Sequence, residues 1–255
     1  MPNDAMRAGN VVVGIWQNFP LPMISRLLGR MGWDWVIFDM QHGAGNFETA
    51  YECVHTLASA GATPLVRVSI GATSEVQRAL DIGARGVVVP MVNSAEEARA
   101  MVQAAKYPPL GARSFGGDNA WHYGDSYPER ANTETMLLVQ IEHIDAVNQV
   151  EAIMALPGVD GCFVGPTDLA LSMGLSRIGY EEVPAHRQAI ARTVAACQAH
   201  GKLACCNTYS LEDFEEKVRL GYDCITFKSE ADLFVSAGSE LLESLRERTG
   251  GALPR

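Results

Sequence analysis

Leu-Leu-Val-Gln-Ile (137–141) runs directly into Glu142, and Cys-Phe-Val-Gly-Pro-Thr (162–167) runs into Asp168. Both runs are too short for helices and suit buried strands. As parallel neighbours in one barrel they would project the two carboxylates from adjacent strand ends at the catalytic face, where a divalent cation can be held. The rest of the chain fits that reading, because short β-branched runs alternate with longer amphipathic segments. Eight strands are predicted, at 11–16, 35–39, 64–68, 86–92, 137–142, 161–165, 202–206 and 224–228. Right-handed crossovers close eight such units into a (β/α)8 TIM barrel, and 255 residues suit a single domain of that kind, typically about 250 residues long.

The intervening segments carry helix signals. Phe47, Ala50, Tyr51, Val54, Leu57 and Ala58 share one helical face, and Gly61 can end that helix. Ser94 followed by Glu97 predicts a reciprocal capping box, and Ser210 with Asp213 a weaker version. Residues 107–135 lack periodicity and are expected as a long loop, functional or mobile. A last apolar helix is expected at about 232–248, ahead of a loose tail that begins at Gly250-Gly251.

The formal net charge of −10, with no Lys/Arg cluster to reverse it locally, disfavours nucleic acid as a partner. The polar start, 1–7, and the apolar stretch that stops at Gln17 predict neither a secretion signal nor a membrane span, so a cytoplasmic location is expected. Six cysteines without a CxxC spacing read as free thiols, with Cys162, Cys205 and Cys224 packed in strands.

The predicted strand ends are rich in chemistry. Glu142 and Asp168 either give two oxygen ligands to Mg²⁺ or Mn²⁺, or cap helices and pair with lysines. Arg67 either holds a substrate carboxylate or enolate, or pairs with a barrel acid. His42 follows Asp39 by three residues, so that acid could orient the ring of a general base. Lys228 offers a competing Schiff-base chemistry.

Taken together, Phe38-Asp39-Met40-Gln41-His42-Gly43, Val66-Arg67-Val68, Val89-Pro90-Met91-Val92, the segment 107–114, Val139-Gln140-Ile141-Glu142 and Gly165-Pro166-Thr167-Asp168-Leu169 resemble the HpcH/HpaI aldolase family. The resemblance implies a class II aldolase that uses a divalent metal (Mg²⁺, Mn²⁺ or Co²⁺) to join pyruvate and an aldehyde, or to cleave a 4-hydroxy-2-oxo acid. It implies that Glu142 and Asp168 bind the metal and that Gln140, Gly165, Pro166, Thr167 and Asp168 surround the 2-oxo acid. Arg67 then stabilises the enolate, and His42 is the base. It also implies that Asp81 raises the basicity of His42; a helix end should lie at the opposite barrel face, so either a second subunit supplies Asp81 or Asp39 takes its place. Relatives often carry Glu at the position of Gln41, and some carry leucine at that of Asn207, which leaves the aldehyde open. A homo-oligomer is implied, a hexamer with the terminal helix exchanged between subunits. The competing readings are the Lys228 Schiff-base aldolase, an acyl-CoA lyase-like relative and a non-catalytic 2-oxo-acid-binding barrel.

Overall fold

The computed structural model describes residues 10–117 and 122–249. The polar start at 1–7, residues 118–121 of the long segment and the Gly250-Gly251 tail lie outside the described residues. The chain closes a barrel of eight parallel strands in sequence order. These are β1 (Val12–Gln17), β2 (Trp35–Asp39), β3 (Thr63–Arg67), β4 (Gly86–Val89), β5 (Met136–Ile141), β6 (Gly161–Val164), β7 (Leu203–Thr208) and β8 (Cys224–Ser229). Closure pairs Val12 with Cys224 and Gly14 with Thr226, with a register shift before Trp16 meets Ser229.

Strand periodicity decides which residues enter the barrel, because alternate side chains point to opposite faces. Val12, Trp16, Trp35, Ile37, Leu65, Val88, Met136, Leu138, Phe163, Cys205 and Cys224 form the apolar interior cluster. Gly14 makes room there for Trp35, whose indole would lie 2.5 Å from a Cβ at that position. The intervening residues, among them Phe38, Val66, Val87, Val139 and Ile225, pack outward against the helices. One or two more steps along the interior series lead from Leu138 to Gln140 and Glu142, from Ile37 to Asp39, from Leu65 to Arg67, and from Cys224 to Thr226, beyond which the register shift interrupts β8 at Lys228 and Ser229. The polar residues at the strand ends are therefore the top layer of the same stack that fills the core.

The helices between β1 and β5 are α1 (Pro22–Met31), α2 (Phe47–Ala60), α3 (Thr73–Asp81), α4 (Ala95–Ala105) and α5 (Tyr127–Glu134). Beyond β5 come α6 (Ile144–Asn148), α7 (Val150–Met154), α8 (Pro166–Ser172), α9 (Pro184–Ala199), α10 (Leu211–Leu220) and α11 (Glu230–Arg248). Gly61 ends α2 in the left-handed conformation, as expected. Ser94 accepts from the Glu97 N–H, but the Glu97 carboxylate turns to the Asn93 N–H, so the reciprocal box is only half formed. The segment 107–135 is not irregular throughout, since α5 occupies its end and the buried Tyr127 and Ala131 anchor it. β4 stops at Val89, short of the predicted Val92, because Pro90 cannot donate to a ladder and Met91 has a φ of 54°. All six cysteines are buried free thiols. No helix among the described residues is long and apolar enough to cross a membrane.

Candidate active site

A cleft of about 290 Å³ opens at the C-terminal strand ends. It gathers Asp39, His42, Arg67, Gln140, Gly165, Pro166, Thr167 and Asp168, which is most of the predicted set. Glu142 is not in its wall: the side chain is 3% exposed and lies behind the surface.

The Glu142 carboxylate is held from both sides. Oε1 accepts the Met91 N–H at 2.9 Å, and Oε2 accepts the Gln140 amide at 2.6 Å. The left-handed turn at Met91, which is costly for a side-chain-bearing residue, lies where this N–H is delivered. Burial pushes the Glu142 carboxyl up to about 7, with the Asp168 charge adding to the rise; the Met91 N–H, Arg67 and Gln140 pull the other way. Gly165 gives the carboxylate its space, since a Cβ there would stand 2.5 Å from Oε2. One donor on each oxygen leaves lone pairs on both. Among the described residues no group of three or more His, Cys, Asp or Glu side chains could enclose a metal ion. A cation here would draw on the two carboxylates and on oxygens from outside the chain, an arrangement Mg²⁺ favours.

Arg67 and Asp39 form a two-pronged pair, Nε to Oδ1 at 2.9 Å and Nη2 to Oδ2 at 2.6 Å. The guanidinium also lies 4.3 Å over the Trp16 ring, which fixes its plane. Both readings of Arg67 thus meet, because it is ion-paired with a barrel acid and still lines the cleft. Asp39 corrects one expectation. Its carboxylate is engaged by Arg67 and by the backbone N–H groups of Gln41 and His42, at 3.0 and 3.3 Å, so it fixes the loop carrying His42 rather than bonding the ring. His42 itself is exposed at the cleft.

Asp81 is not brought to this cleft. It closes α3, which runs back antiparallel to the strands, and it accepts from Arg113 Nη2 at 2.7 Å. His143 is a helix cap, its Nδ1 accepting the Asp145 N–H. His186 is buried and bonds the Pro166 carbonyl at 2.8 Å, while the Tyr180 ring stacks edge-on against it at 4.8 Å and the Tyr180 hydroxyl meets Thr167 Oγ1 at 3.0 Å. These two residues hold the turn from β6 into α8. Nothing in their local sequence marks them. Trp16, Phe163 and Tyr209 also line the cleft; all three continue the inward periodicity of their strands, the signal that could have found them.

Known proteins agree with this architecture. Residues 13–236 match the family described as HpcH/HpaI aldolase/citrate lyase. A hydroxypyruvate/pyruvate aldolase of Agrobacterium fabrum is 37% identical over 88% of this chain and 87% of its own length. A second, from Cupriavidus necator, is 33% identical over 97% of this chain and 93% of its own. The crystal structure of an HpcH/HpaI aldolase/citrate lyase family protein from Burkholderia cenocepacia superposes with a TM-score of 0.88 at 29% identity, covering 96% of this chain and 98% of that one. With the eight-stranded barrel and its strand-end carboxylates, these matches place the chain in the HpcH/HpaI aldolase/citrate lyase family.

Proposed function

We infer that this chain is a class II pyruvate aldolase, which reversibly joins pyruvate to an aldehyde and cleaves the resulting 4-hydroxy-2-oxo acid. The observation that carries the reading is the strand-end cleft where Asp168, the paired Arg67 and His42 converge in front of the buried Glu142. Relatives named for hydroxypyruvate as well as pyruvate make both 2-oxo acids candidate donors.

Mg²⁺, Mn²⁺ or Co²⁺ fits Glu142 and Asp168, because a divalent charge offsets both the burial and the mutual repulsion that raise Glu142. When bound, such an ion supplies a Lewis acid that polarises the ketone and acidifies the neighbouring methyl group. The chain provides the rest. The N–H groups of Thr167 and Asp168 stand in the first turn of α8, ahead of the Leu169 N–H bond to Gly165, and the family resemblance assigns them to the donor carboxylate. Arg67, held flat by Asp39 and Trp16, faces the negative charge that develops on the enolate oxygen. His42 removes the methyl proton in synthesis and the 4-hydroxyl proton in cleavage.

Asp39 is engaged by Arg67 and Asp81 by Arg113; the family resemblance assigns the support of His42 to Asp81, which reaches a cleft only from a neighbouring subunit. A homo-oligomer, specifically a hexamer with α11 exchanged, agrees with the exposure of Phe234, Val235 and Leu241 on that helix, at 78%, 63% and 62%.

The test is release of pyruvate from a panel of 4-hydroxy-2-oxo acids, with Mg²⁺, Mn²⁺ or Co²⁺ added and removed. Metal-dependent release from at least one member is expected, whereas no release from any member with any of the metals would overturn the reading. Gly165→Ala checks the cation site separately. Its Cβ must displace the Glu142 carboxylate, which should weaken Mn²⁺ binding by about 10–100-fold in calorimetric titration. Unaltered affinity would mean that Glu142 is not a ligand.

A further inference from the structure

Glu230 is a buried carboxylate outside the chemistry described so far. It opens α11, is the buried residue of that helix, and is 7% exposed. The register shift that sets Trp16 opposite Ser229 brings it beside the end of β1. There a single oxygen, Oε1, accepts the N–H groups of both Asn18 and Phe19 at 2.6 Å. Burial raises the carboxyl above its usual range, while those two N–H groups and the first turn of α11 pull it back. Oε2 is buried with no hydrogen-bond partner among the described residues. One half of the group is thus desolvated without a compensating bond, which marks a residue kept for what its other half positions.

The two bonds fix the loop between β1 and α1. Gln17, fully buried, holds the same loop from the other side, its Nε2 donating to the Phe19 carbonyl at 2.8 Å and its Oε1 accepting the Ser25 hydroxyl at 2.9 Å. Asn18 stands between these anchors and lines the cleft. Its carbonyl accepts the Ala44 N–H at 3.3 Å, two residues beyond His42. Gly43 runs against that same carbonyl, since a Cβ there would lie 3.1 Å from the Asn18 oxygen and collide with the Asp39 carbonyl. The loop carrying His42 is therefore held at two points. Asp39 takes the Gln41 and His42 N–H groups on one side of the ring, and Asn18 takes the Ala44 N–H on the other. The first anchor is braced by Arg67, the second by Glu230.

We propose that Glu230 is a positioning residue for the general base: by fixing the Asn18–Phe19 backbone it sets the loop from which His42 reaches the substrate proton. The inference rests on the pyruvate-aldolase reading and adds to it a residue outside the cleft wall. Glu230 acts through His42, so it governs proton transfer rather than donor or cation binding.

The test is exchange of the pyruvate methyl hydrogens in deuterated water by the full-length protein with Mn²⁺. Glu230→Met keeps the volume and removes the acceptor, so kcat for exchange should fall about 10–100-fold, as when a reacting group is misplaced by a fraction of its reach. KM for pyruvate and the affinity for Mn²⁺ should stay within about threefold of native. Glu230→Gln, whose amide oxygen can accept both N–H groups, should keep kcat within about threefold. In a His42→Ala background, Glu230→Met should change kcat by less than about twofold, because the ring it positions is gone. Glu230→Ala gives the same comparisons if the Met variant folds poorly. A kcat within about twofold of native in the single variant would overturn the proposal, as would a Gln variant as slow as the Met variant. A loss that multiplies in full on that of His42→Ala would overturn it too, because Glu230 would then act on the fold at large. The native protein separates the two failures. If it exchanges the methyl hydrogens and the Glu230 variants match it, only the Glu230 assignment fails; if it does not, the aldolase reading fails beneath it.

Discussion

Glu142→Gln and Asp168→Asn should each lower metal-dependent pyruvate enolisation by at least about 10³-fold, since Lewis-acid stabilisation is worth several kcal/mol and each 1.36 kcal/mol is a factor of ten. The substitutions preserve shape and remove charge, so the loss reads the cation site rather than packing. Stability should move the other way at Glu142. Its carboxyl rises from 4.5 to about 7 through burial, so without metal the protonated form is favoured in the fold. The resulting stability is present in full below about pH 4.5 and is lost as pH rises to about 7; above that, the buried charge costs about 3 kcal/mol. Metal-free Glu142→Gln should therefore gain on the native protein as pH is raised from 5 to 8, measured by urea unfolding in chelator. An activity within tenfold of native, or a stability difference that does not change with pH, would contradict this role for the carboxylate.

His42→Ala should lower kcat by about 10²–10⁴-fold, the usual share of a positioned general base, while leaving KM for pyruvate within a few-fold of native. The split follows from where the residues stand. The donor's binding groups, Thr167 and Asp168 in α8 and Glu142 directly after β5, are set apart from His42, which is carried by the loop after β2 and tethered there through its own backbone N–H to Asp39. Steady-state kinetics with a single 4-hydroxy-2-oxo acid measures both constants. A large rise in KM with kcat preserved would assign His42 to binding instead.

Much of this arrangement was legible in the sequence because one periodicity governs both core and cleft. The step of two that buries Met136 and Leu138 also delivers Gln140 and Glu142, and the same count places Asp39 and Arg67. What the sequence hid was decided by tertiary partners. Asp39 stands three residues before His42, yet a guanidinium from the adjacent strand offers two charge-assisted bonds and outcompetes the ring. The early end of β4 follows from Pro90 and from a left-handed Met91 whose N–H goes to Glu142, a partner 51 residues away. α5 went unread because its stabilisation comes from tertiary burial of Tyr127 and Ala131 rather than from a repeating apolar face. Tyr180 and His186 reach the Pro166–Thr167 turn across sequence gaps of 13 and 20 residues, beyond any local motif.

The most direct measurement is deuterium uptake into the methyl group of pyruvate, catalysed by the native protein first stripped of divalent ions and then supplied with Mg²⁺ or Mn²⁺. Uptake that falls to the uncatalysed rate on stripping and returns on addition is the result predicted by a cation held between Glu142 and Asp168. Uptake that continues undiminished in the stripped protein would contradict it.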